Sequence, residues 1–464
     1  MEKIIAVSDF VQKIPPLPEA DLKQQIREQM KVRDYSIIVL DDDPTGTQTV
    51  HGIPVLTEWS MEGIKKELDA CTPLFFIMTN SRSLVPEAAK ELAITIGQHI
   101  GKASNLSRRD TIIISRSDST LRGHYPIEVE GLLEASGDTE ALRFIIPAFF
   151  EGGRITFQDV HYVREKDQMI PAAQTPYAQD TVFGYSHSDL KKYVEEKTGG
   201  KLKADKISSI SISELRNKSV EELSTKIKSL AAKDTCIVNA AHIFDLQKFI
   251  LALLDSQRKA ICRTAASFVS AIAALTDKDL LNPADWKREG AKGKLILLGS
   301  HVPKSTAQLQ HLLSQEGLYS FELKLEELLY SPNKRTQLQE IIQAVDTLLA
   351  QDEKVLVYTQ RVLIKGKNDQ ENLQISESVS ALLCEIASSL KTMPHFIIAK
   401  GGITSSDIAT KSLKIKKALV LGQVFPGVPV WESGPESKFP GMPYVVFPGN
   451  VGEEDTISKL IFST

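Results

Sequence analysis

The stretch Ser36–Gly46, SIIVLDDDPTG, joins a short apolar run to three aspartates, a proline, a threonine and a glycine. An apolar run without in/out alternation is typical of a strand covered on both faces, as in a parallel sheet between helices. The aspartates follow at once, where the carboxyl end of such a strand opens into a loop. Ligands of open α/β sheets bind beyond these carboxyl ends. The stretch therefore predicts a fold class and the sheet edge that carries function.

The same rhythm recurs along the chain. Further strands are predicted at Leu74–Met78, Thr111–Ser115, Arg143–Pro147, Thr235–Asn239, Leu295–Leu298, Val355–Tyr358, Phe396–Ala399 and Tyr444–Phe447. Helices are predicted at Glu19–Arg33, Pro86–Ile100 and Ser219–Ala232. The polar stretch Thr276–Lys294 separates two groups of strands. We predict two α/β domains in series, each with a largely parallel sheet flanked by helices. Residues 1–33 form an extension, 34–280 the first domain and 281–464 the second.

Composition excludes several classes of protein. The 55 Lys and Arg against 59 Asp and Glu give a formal charge of −4, which argues against a nucleic-acid partner. No apolar run is long enough to span a bilayer, and the N-terminus meets charges and prolines before a signal-peptide core could form. The four cysteines are far apart, as expected in a reducing compartment. We expect a cytoplasmic protein without a membrane partner; a homodimer stays an open alternative.

Four loops after predicted strands of the first domain carry polar groups: Asp41–Gly46, Asn80–Ser83, Arg116–Gly123 and Glu151–Arg154. Arginine forks bind carboxylates in a bidentate manner, and Arg82, Arg116 and Arg122 are the candidates. Carboxylates and short hydroxyls suit the hydroxyls of a sugar, and one carboxylate can take a proton; the candidates are Asp42, Asp43, Asp118 and Ser119. One such loop is ordinary surface, and an aspartate can simply cap a helix. Four at one edge predict a site for a small polyhydroxy acid.

The loops after strands of the second domain are rich in glycine instead: Gly299–His301, Lys400–Asp407 and Pro448–Gly452. Paired glycines let backbone N–H groups approach a phosphate, which favours a phosphate-binding role. Lys400 is either a phosphate contact or a solvated lysine before a turn. The sequence has no P-loop, no dinucleotide fingerprint and no metal-ligand spacing of histidines, so no metal site is predicted.

Together these segments resemble the four-carbon acid sugar kinase family from about Ser36 to the C-terminus. The segments that carry the resemblance are DDDPTG at Asp41–Gly46, NSRS at Asn80–Ser83, RSDSTLRG at Arg116–Gly123, PAFFEGGR at Pro147–Arg154, HYV at His161–Val163, GS at Gly299–Ser300, KGGITSSD at Lys400–Asp407 and FPGNVGEEDT at Phe447–Thr456. The resemblance implies a sugar-acid-binding N-terminal domain, a nucleotide-binding C-terminal domain, and an active site in the cleft between them. It implies transfer of the ATP γ-phosphoryl group, with Mg²⁺, to the terminal hydroxyl of a threonate, erythronate or 3-oxo-tetronate.

The resemblance also implies roles for individual residues. Asp118 and Asp43 are the expected catalytic residues, with Asp118 favoured as general base. The expected substrate-binding residues are Asp42, Asp43, Arg82, Ser117, Asp118, Ser119, Thr120 and Arg122. The expected nucleotide-binding residues are Ser300, Gly401, Gly402, Ile403, Thr404, Pro448, Gly449, Asn450 and Val451.

Three departures from the family pattern are present: the N-terminal extension is outside the usual pattern, and two matching segments differ in sequence. The first of these segments leaves the exact substrate open, and the second leaves the phosphate contacts and the catalytic competence open. The segment LDDDPTGTQ stands where many members have ADDLTGA, and FPGNVG stands in place of KSGNFG, so a lysine is missing beside the expected nucleotide. The alternatives are a non-catalytic protein that binds sugar acid and nucleotide, and a metal-assisted sugar-acid isomerase or dehydratase.

Overall fold

The computed structural model describes residues 3–33, 35–276, 278–286, 288–361 and 369–463. The strands, numbered along the chain, are β1 (Ile5–Ala6), β2 (Ser36–Asp41), β3 (Ile53–Leu56), β4 (Leu74–Met78), β5 (Thr111–Arg116), β6 (Leu142–Ile146), β7 (Arg154–Phe157), β8 (Val160–Glu165), β9 (Gln168–Pro171), β10 (Ser208–Ile210), β11 (Thr235–Val238), β12 (Ala260–Thr264), β13 (Lys294–Leu298), β14 (Tyr319–Leu323), β15 (Lys354–Thr359), β16 (Ile397–Lys400), β17 (Lys417–Phe425), β18 (Val428–Ser433) and β19 (Pro443–Phe447). The helices are α1 (Val7–Lys13), α2 (Lys23–Arg33), α3 (Met61–Asp69), α4 (Pro86–Ser107), α5 (Ile127–Ser136), α6 (Leu190–Lys197), α7 (Ile212–Asn217), α8 (Val220–Ser229), α9 (Ile243–Ser256), α10 (Ala266–Ala273), α11 (Pro303–Leu313), α12 (Leu325–Tyr330), α13 (Lys334–Ala350), α14 (Asp369–Ser389), α15 (Gly402–Asp407) and α16 (Thr456–Ile461).

The chain forms two compact units. Unit 1 comprises Met1–Gly46 and Glu58–Thr276, and unit 2 comprises Thr47–Thr57 and Asp277–Thr464. The predicted fold class, two α/β domains with largely parallel sheets, is confirmed. Two segments differ from the predicted domain bounds. Residues 278–280 lie in unit 2, and so do residues 47–57, where β3 pairs antiparallel with β17. A short strand that joins another domain's sheet edge leaves no signal in its own sequence.

Within unit 1 the central strands form a parallel sheet in the order β10-β11-β6-β12-β5-β2-β4. Every residue of β2 and β4 is buried, as their unbroken apolar runs predict. The register pairs Asp41, the last residue of β2, with Arg116 of β5 and Met78 of β4. Consequently the loops that follow β2, β4 and β5 start side by side at one edge of the sheet.

A second, antiparallel sheet of unit 1 has the order β1-β9-β8-β7, and the N-terminal residues are part of it. Phe10 of α1 is buried against Phe157 and Tyr162, with ring centroids 5.4 and 5.6 Å apart. Arg216 of α7 is paired with Asp245 of α9 and donates a hydrogen bond to the carbonyl of Pro15. The described part of the predicted extension, residues 3–33, therefore packs into unit 1, where Ile5, Val7, Phe10 and Ile14 contribute to one hydrophobic cluster.

Within unit 2 the strand order is β3-β17-β18-β19-β16-β13-β15-β14. β19, β16, β13, β15 and β14 are parallel to one another, whereas the pairings β3–β17, β17–β18 and β18–β19 are antiparallel. The core contains fully buried side chains from several of these strands, among them Leu298, Ile398 and Phe447. The loops after β19, β16, β13 and β15 therefore begin next to one another at one edge of this sheet.

Candidate functional site

Arg82 and two aspartates form a partly buried ion-pair network at the carboxyl edge of the unit 1 sheet. Arg82 follows β4, and its Nε and Nη2 atoms donate to Asp42 at 3.2 and 2.5 Å. Its Nη1 atom donates to Asp43 at 3.0 Å, so these bonds use three of its five N–H groups. The Asp42 side chain is 4% exposed, against 26% for Asp43 and 21% for Arg82. Asp42 thus holds Arg82 from the buried side of the network, whereas the side chain of Asp43 is partly exposed to solvent.

The electrostatics of this network keep Asp43 ionised. Burial alone would raise the pKa of Asp43, but the Arg82 guanidinium and hydrogen bonds from Thr45 outweigh burial and lower it. The Thr45 N–H and hydroxyl both donate to Asp43 Oδ1, at 2.9 and 2.7 Å. Asp43 Oδ2 therefore keeps capacity to accept a hydrogen bond from a ligand.

The loop after β5 holds a second ionised carboxylate, Asp118. Its Oδ2 atom accepts hydrogen bonds from the hydroxyl and N–H of Thr120 and, at 3.0 Å, from Arg122 Nε. Burial would raise the pKa of Asp118, but the guanidiniums of Arg82 and Arg122 outweigh it and hold the pKa well below its ordinary value. Ser117 connects this loop to the first network, since its hydroxyl donates to Asp42.

Three buried side chains hold the carbonyl groups of this loop. His161 Nε2 lies 2.7 Å from the oxygen of Ser119, and the hydroxyls of Tyr185 and Tyr193 donate to the oxygens of Thr120 and Leu121, each at 2.8 Å. Burial lowers the pKa of His161 to about 4, so the ring is neutral at physiological pH. A carbonyl only accepts, and therefore Nε2 carries the proton. The loop is thus fixed from behind through its backbone.

Two further carboxylates lie deeper in the site. Asp41 Oδ1 accepts from Arg116 at 3.1 Å, whereas its Oδ2 is buried without a hydrogen-bond partner. Burial raises the pKa of Asp41 to about 7 despite Arg116, and burial likewise raises the pKa of Glu128, which accepts from the Ser81 hydroxyl, to about 7. A Cβ atom on Gly46 would lie 1.7 Å from Asp41 Oδ2, so only glycine fits where the chain turns over this carboxyl.

The structure thus brings the predicted residues of unit 1 together. Asp42, Asp43, Arg82, Ser117, Asp118, Thr120 and Arg122 are connected through direct contacts or charge interactions, and Ser119 lies in the same loop. Sequence reasoning missed Glu128, His161, Tyr185 and Tyr193 as parts of this site. Only His161 had a signal, because HYV is one of the segments that resemble the family.

The predicted nucleotide loops of unit 2 also converge. Gly401 has φ +117°, and a Cβ atom there would lie 3.1 Å from Ser300 Cβ. A Cβ atom on Gly449 would lie 3.0 Å from Ser300 Oγ, and one on Gly299 only 2.4 Å from Thr404 Oγ1. The backbones of the three loops therefore approach within a distance that side chains would block. Of the other predicted residues, Ile403 is an exposed apolar side chain and Asn450 is exposed.

Lys400 connects two of these loops from inside. It has no exposed surface, and its Nζ atom donates to the carbonyls of Pro448 at 2.7 Å and Val451 at 3.3 Å. The Nζ atom also lies 4.1 Å from the centre of the Phe447 ring. Burial, with a contribution from Lys304, lowers the pKa of Lys400 to about 7. Of the two roles predicted for Lys400, the solvated lysine is wrong. Lys400 is buried, and its hydrogen bonds position the backbone of the 448–451 loop.

A pH titration tests this environment of Lys400. The folded chain holds the Lys400 proton less tightly than the unfolded chain, whose value is near 10.5. Between about pH 7 and that value only the unfolded state carries the proton, so native stability rises with pH. Relative to Lys400→Met, the free energy of unfolding should rise by roughly 2 kcal/mol from pH 7 to pH 9 in denaturant titrations. The exposed Lys391→Met should show no such pH-dependent difference, and an equal slope in both comparisons would contradict the assignment.

Among the described residues, no group of three or more His, Cys, Asp or Glu side chains is arranged to hold a metal ion. No helix among the described residues is both long enough and apolar enough to cross a membrane.

Two family models match the chain. One, described as a sugar-binding N-terminal domain, matches residues 37–272, which is just over half of the chain. The other, described as a nucleotide-binding C-terminal domain, matches residues 295–457. No curated protein matches the chain.

The fold is similar to solved structures of two bacterial proteins. Haemophilus influenzae protein HI1011, a DUF1537 protein, is 17% identical, with a TM-score of 0.62 over 91% of this chain and 98% of that chain. A Salmonella typhimurium LT2 protein that carries the provisional name tRNA synthase is also 17% identical, with a TM-score of 0.64 over the same shares. At this identity the likeness shows the fold alone. From the two matched domains, in this order, it follows that the chain belongs to the four-carbon acid sugar kinase family.

Proposed function

We propose that the protein is an ATP-dependent kinase that phosphorylates the terminal hydroxyl of a four-carbon sugar acid of the threonate, erythronate or 3-oxo-tetronate class. The observation that carries the proposal is the pair of ionised aspartates in the sugar-binding domain, Asp43 and Asp118, both of which interact electrostatically with Arg82. The nucleotide-binding domain of the same chain is consistent with ATP as the donor.

The unit 1 site has the chemistry that a sugar acid requires. Arg82 and Arg122 are 21% and 29% exposed and keep N–H groups beyond those bound to aspartates, so they can bind the substrate carboxylate. Asp43 and Asp118 are acceptors for sugar hydroxyls. The hydroxyl of Ser117 donates to Asp42 and that of Thr120 donates to Asp118, so these two hydroxyls orient the aspartates.

In the proposed reaction the residues position the substrate and manage one proton. Asp118 accepts the proton of the attacking hydroxyl, and Arg122 with Thr120 holds the carboxylate in place for it. Asp43 orients the neighbouring hydroxyl. Direct transfer requires the acceptor oxygen and the γ-phosphorus to come within reacting distance, so the proposal requires both domains to bring their ligands together during turnover.

The nucleotide is proposed to bind at Ser300, Gly401–Thr404 and Pro448–Val451, which lie on loops that approach one another closely. ATP supplies the phosphoryl group, and the accompanying Mg²⁺ neutralises charge on the phosphates. Magnesium in such sites takes phosphate and water oxygens with only one or two carboxylates, so it does not need a preformed cluster of side chains.

A coupled assay of ADP release over a panel of threonates, erythronates and 3-oxo-tetronates tests the proposal. We expect turnover that depends on both ATP and one class of acid, with the phosphate on the terminal oxygen of the product. Nucleotide and acid binding without ADP release would support the non-catalytic alternative. Conversion of the acid in the absence of ATP would support the isomerase or dehydratase.

A further inference from the structure

Arg361 lies just beyond the carboxyl end of β15, at the same edge of the unit 2 sheet as the predicted nucleotide loops. Strand β15 is the direct neighbour of β13, and their register pairs Tyr358 with Leu298. Two residues beyond Leu298 stands Ser300, and the Arg361 Nη2 atom donates to the carbonyl of Ser300 at 2.8 Å. The same Nη2 atom donates to the hydroxyl of Thr306 at 2.9 Å.

Among the described residues, the rest of this guanidinium has no partner. The Nε and Nη1 atoms of Arg361 are buried and make no hydrogen bond, and none of the described carboxylates lies within ion-pair distance of it. Burial lowers the pKa of Arg361, with no anion opposing the effect. By contrast, Arg82, Arg216 and Arg288 each have a carboxylate within 3.0 Å. A buried cation without an anion is costly, and a site tolerates it where a ligand supplies the anion.

The surroundings of Arg361 identify where that anion would lie. Ser300 is the residue that Gly401 and Gly449 approach most closely, as judged by the Cβ distances of 3.1 and 3.0 Å. The side chain of Lys400 in the same cluster is turned inward onto loop carbonyls and offers no charge at the surface. Arg361 is therefore the arginine that is bonded directly to the centre of the predicted phosphate site.

We propose that Arg361 binds the phosphate chain of the nucleotide, supplying the positive charge that the glycine loops lack. The inference rests on the proposed function, because it takes the nucleotide to lie on Ser300 and the two glycine loops. The guanidinium is already held through Nη2, and its unpaired Nε and Nη1 atoms form a planar fork that suits phosphate oxygens. Both atoms are buried in this structure, so binding requires the side chain or its cover to move.

Calorimetric titrations of the full-length protein test the assignment, with ATP, inorganic triphosphate and adenosine as separate probes. Arg361→Met should weaken ATP and triphosphate about tenfold or more and leave adenosine unchanged. Arg361→Gln, which keeps an amide donor for the Ser300 carbonyl, should show the same selective loss, because glutamine lacks the positive charge that attracts the phosphates. The control Arg288→Met removes an arginine that already has its carboxylate, Glu432 at 2.6 Å, and should bind all three probes like the native chain.

Melting temperatures separate this role from a structural one. Without ligand, Arg361→Met should melt no lower than the native chain, since it removes a buried charge that no anion compensates. Equal ATP affinity in the native chain and both variants would overturn the inference while leaving the kinase proposal standing. A parallel loss of adenosine and ATP, together with a lower melting temperature, would also overturn it. A native chain that binds no ATP would overturn both proposals.

Discussion

Replacing Asp118 by asparagine is expected to lower kcat by about a thousandfold, within the range that loss of a general base gives. Asparagine keeps the size of the side chain and one acceptor for Thr120 or Arg122, but it cannot take the proton of the attacking hydroxyl. It also removes the charge that pairs directly with Arg122. ADP release at saturating substrates measures kcat. ATP affinity, measured by calorimetry, should be unchanged because Asp118 belongs to the sugar-binding domain.

Asp180→Asn is the matched control for this change. Its carboxylate lies 3.7 Å from the same guanidinium of Arg122, but it makes no contact with Thr120 and its side chain is 25% exposed. We expect kcat to change by less than about fivefold, as for other surface ion pairs. A near-normal kcat for Asp118→Asn would remove Asp118 from the role of base, and Asp43 would take its place.

Replacing Gly401 by alanine should weaken ATP binding about a hundredfold. The residue has φ +117° and ψ 140°, a backbone region that L-residues rarely adopt, and the new Cβ atom would lie 3.1 Å from Ser300 Cβ. Either the start of α15 shifts or Ser300 moves, and both changes disturb the surface on which phosphates are proposed to lie. Calorimetric titration with ATP measures the loss, and binding of the sugar acid serves as a check on folding.

Gly290→Ala is the control for backbone strain alone. Gly290 also lies in unit 2 and has a positive φ of 77°, but no atom is within 4 Å of a Cβ atom placed on it. It should lose some stability and retain ATP affinity. If both alanine variants lost ATP affinity to the same extent, general strain in the domain, and not the Ser300 contact, would be the cause.

The strands that could be predicted from the sequence are the ones buried on both faces. β2, β4 and β5 read as unbroken apolar runs because each is flanked by strands and covered by helices, and the structure places them within one or two residues of the predicted bounds. β12 was missed because Arg263 interrupts its run. The antiparallel β17 alternates between buried residues and residues that are partly or fully exposed, which weakens the same signal.

The candidate site divides in a similar way. Side chains that directly follow a strand could be predicted, since topology alone brings Asp42, Arg82 and Asp118 to one edge. The groups that hold them could not: His161 and Tyr193 reach their loop across 42 and 72 residues of chain. Such contacts depend on tertiary packing, which no local pattern records.

The position of Arg361 follows from the same rule. It follows β15 by two residues, as Ser300 follows β13, so its place at the edge was readable from the sequence. The lack of a carboxylate partner for Arg361 among the described residues could not be predicted, because it depends on which side chains the fold brings near the guanidinium.

Distance along the polypeptide is a poor guide to distance from the reacting groups in this protein. Phe10 rests on Tyr162, and the next residue back, His161, holds the Ser119 carbonyl of the loop that carries Asp118. The N-terminal residues therefore support, through Tyr162 and His161, the loop that carries Asp118. Deleting them would expose Phe157 and Tyr162, which pack against Phe10, and would weaken the packing behind the proposed base. A shortened variant should therefore retain α1.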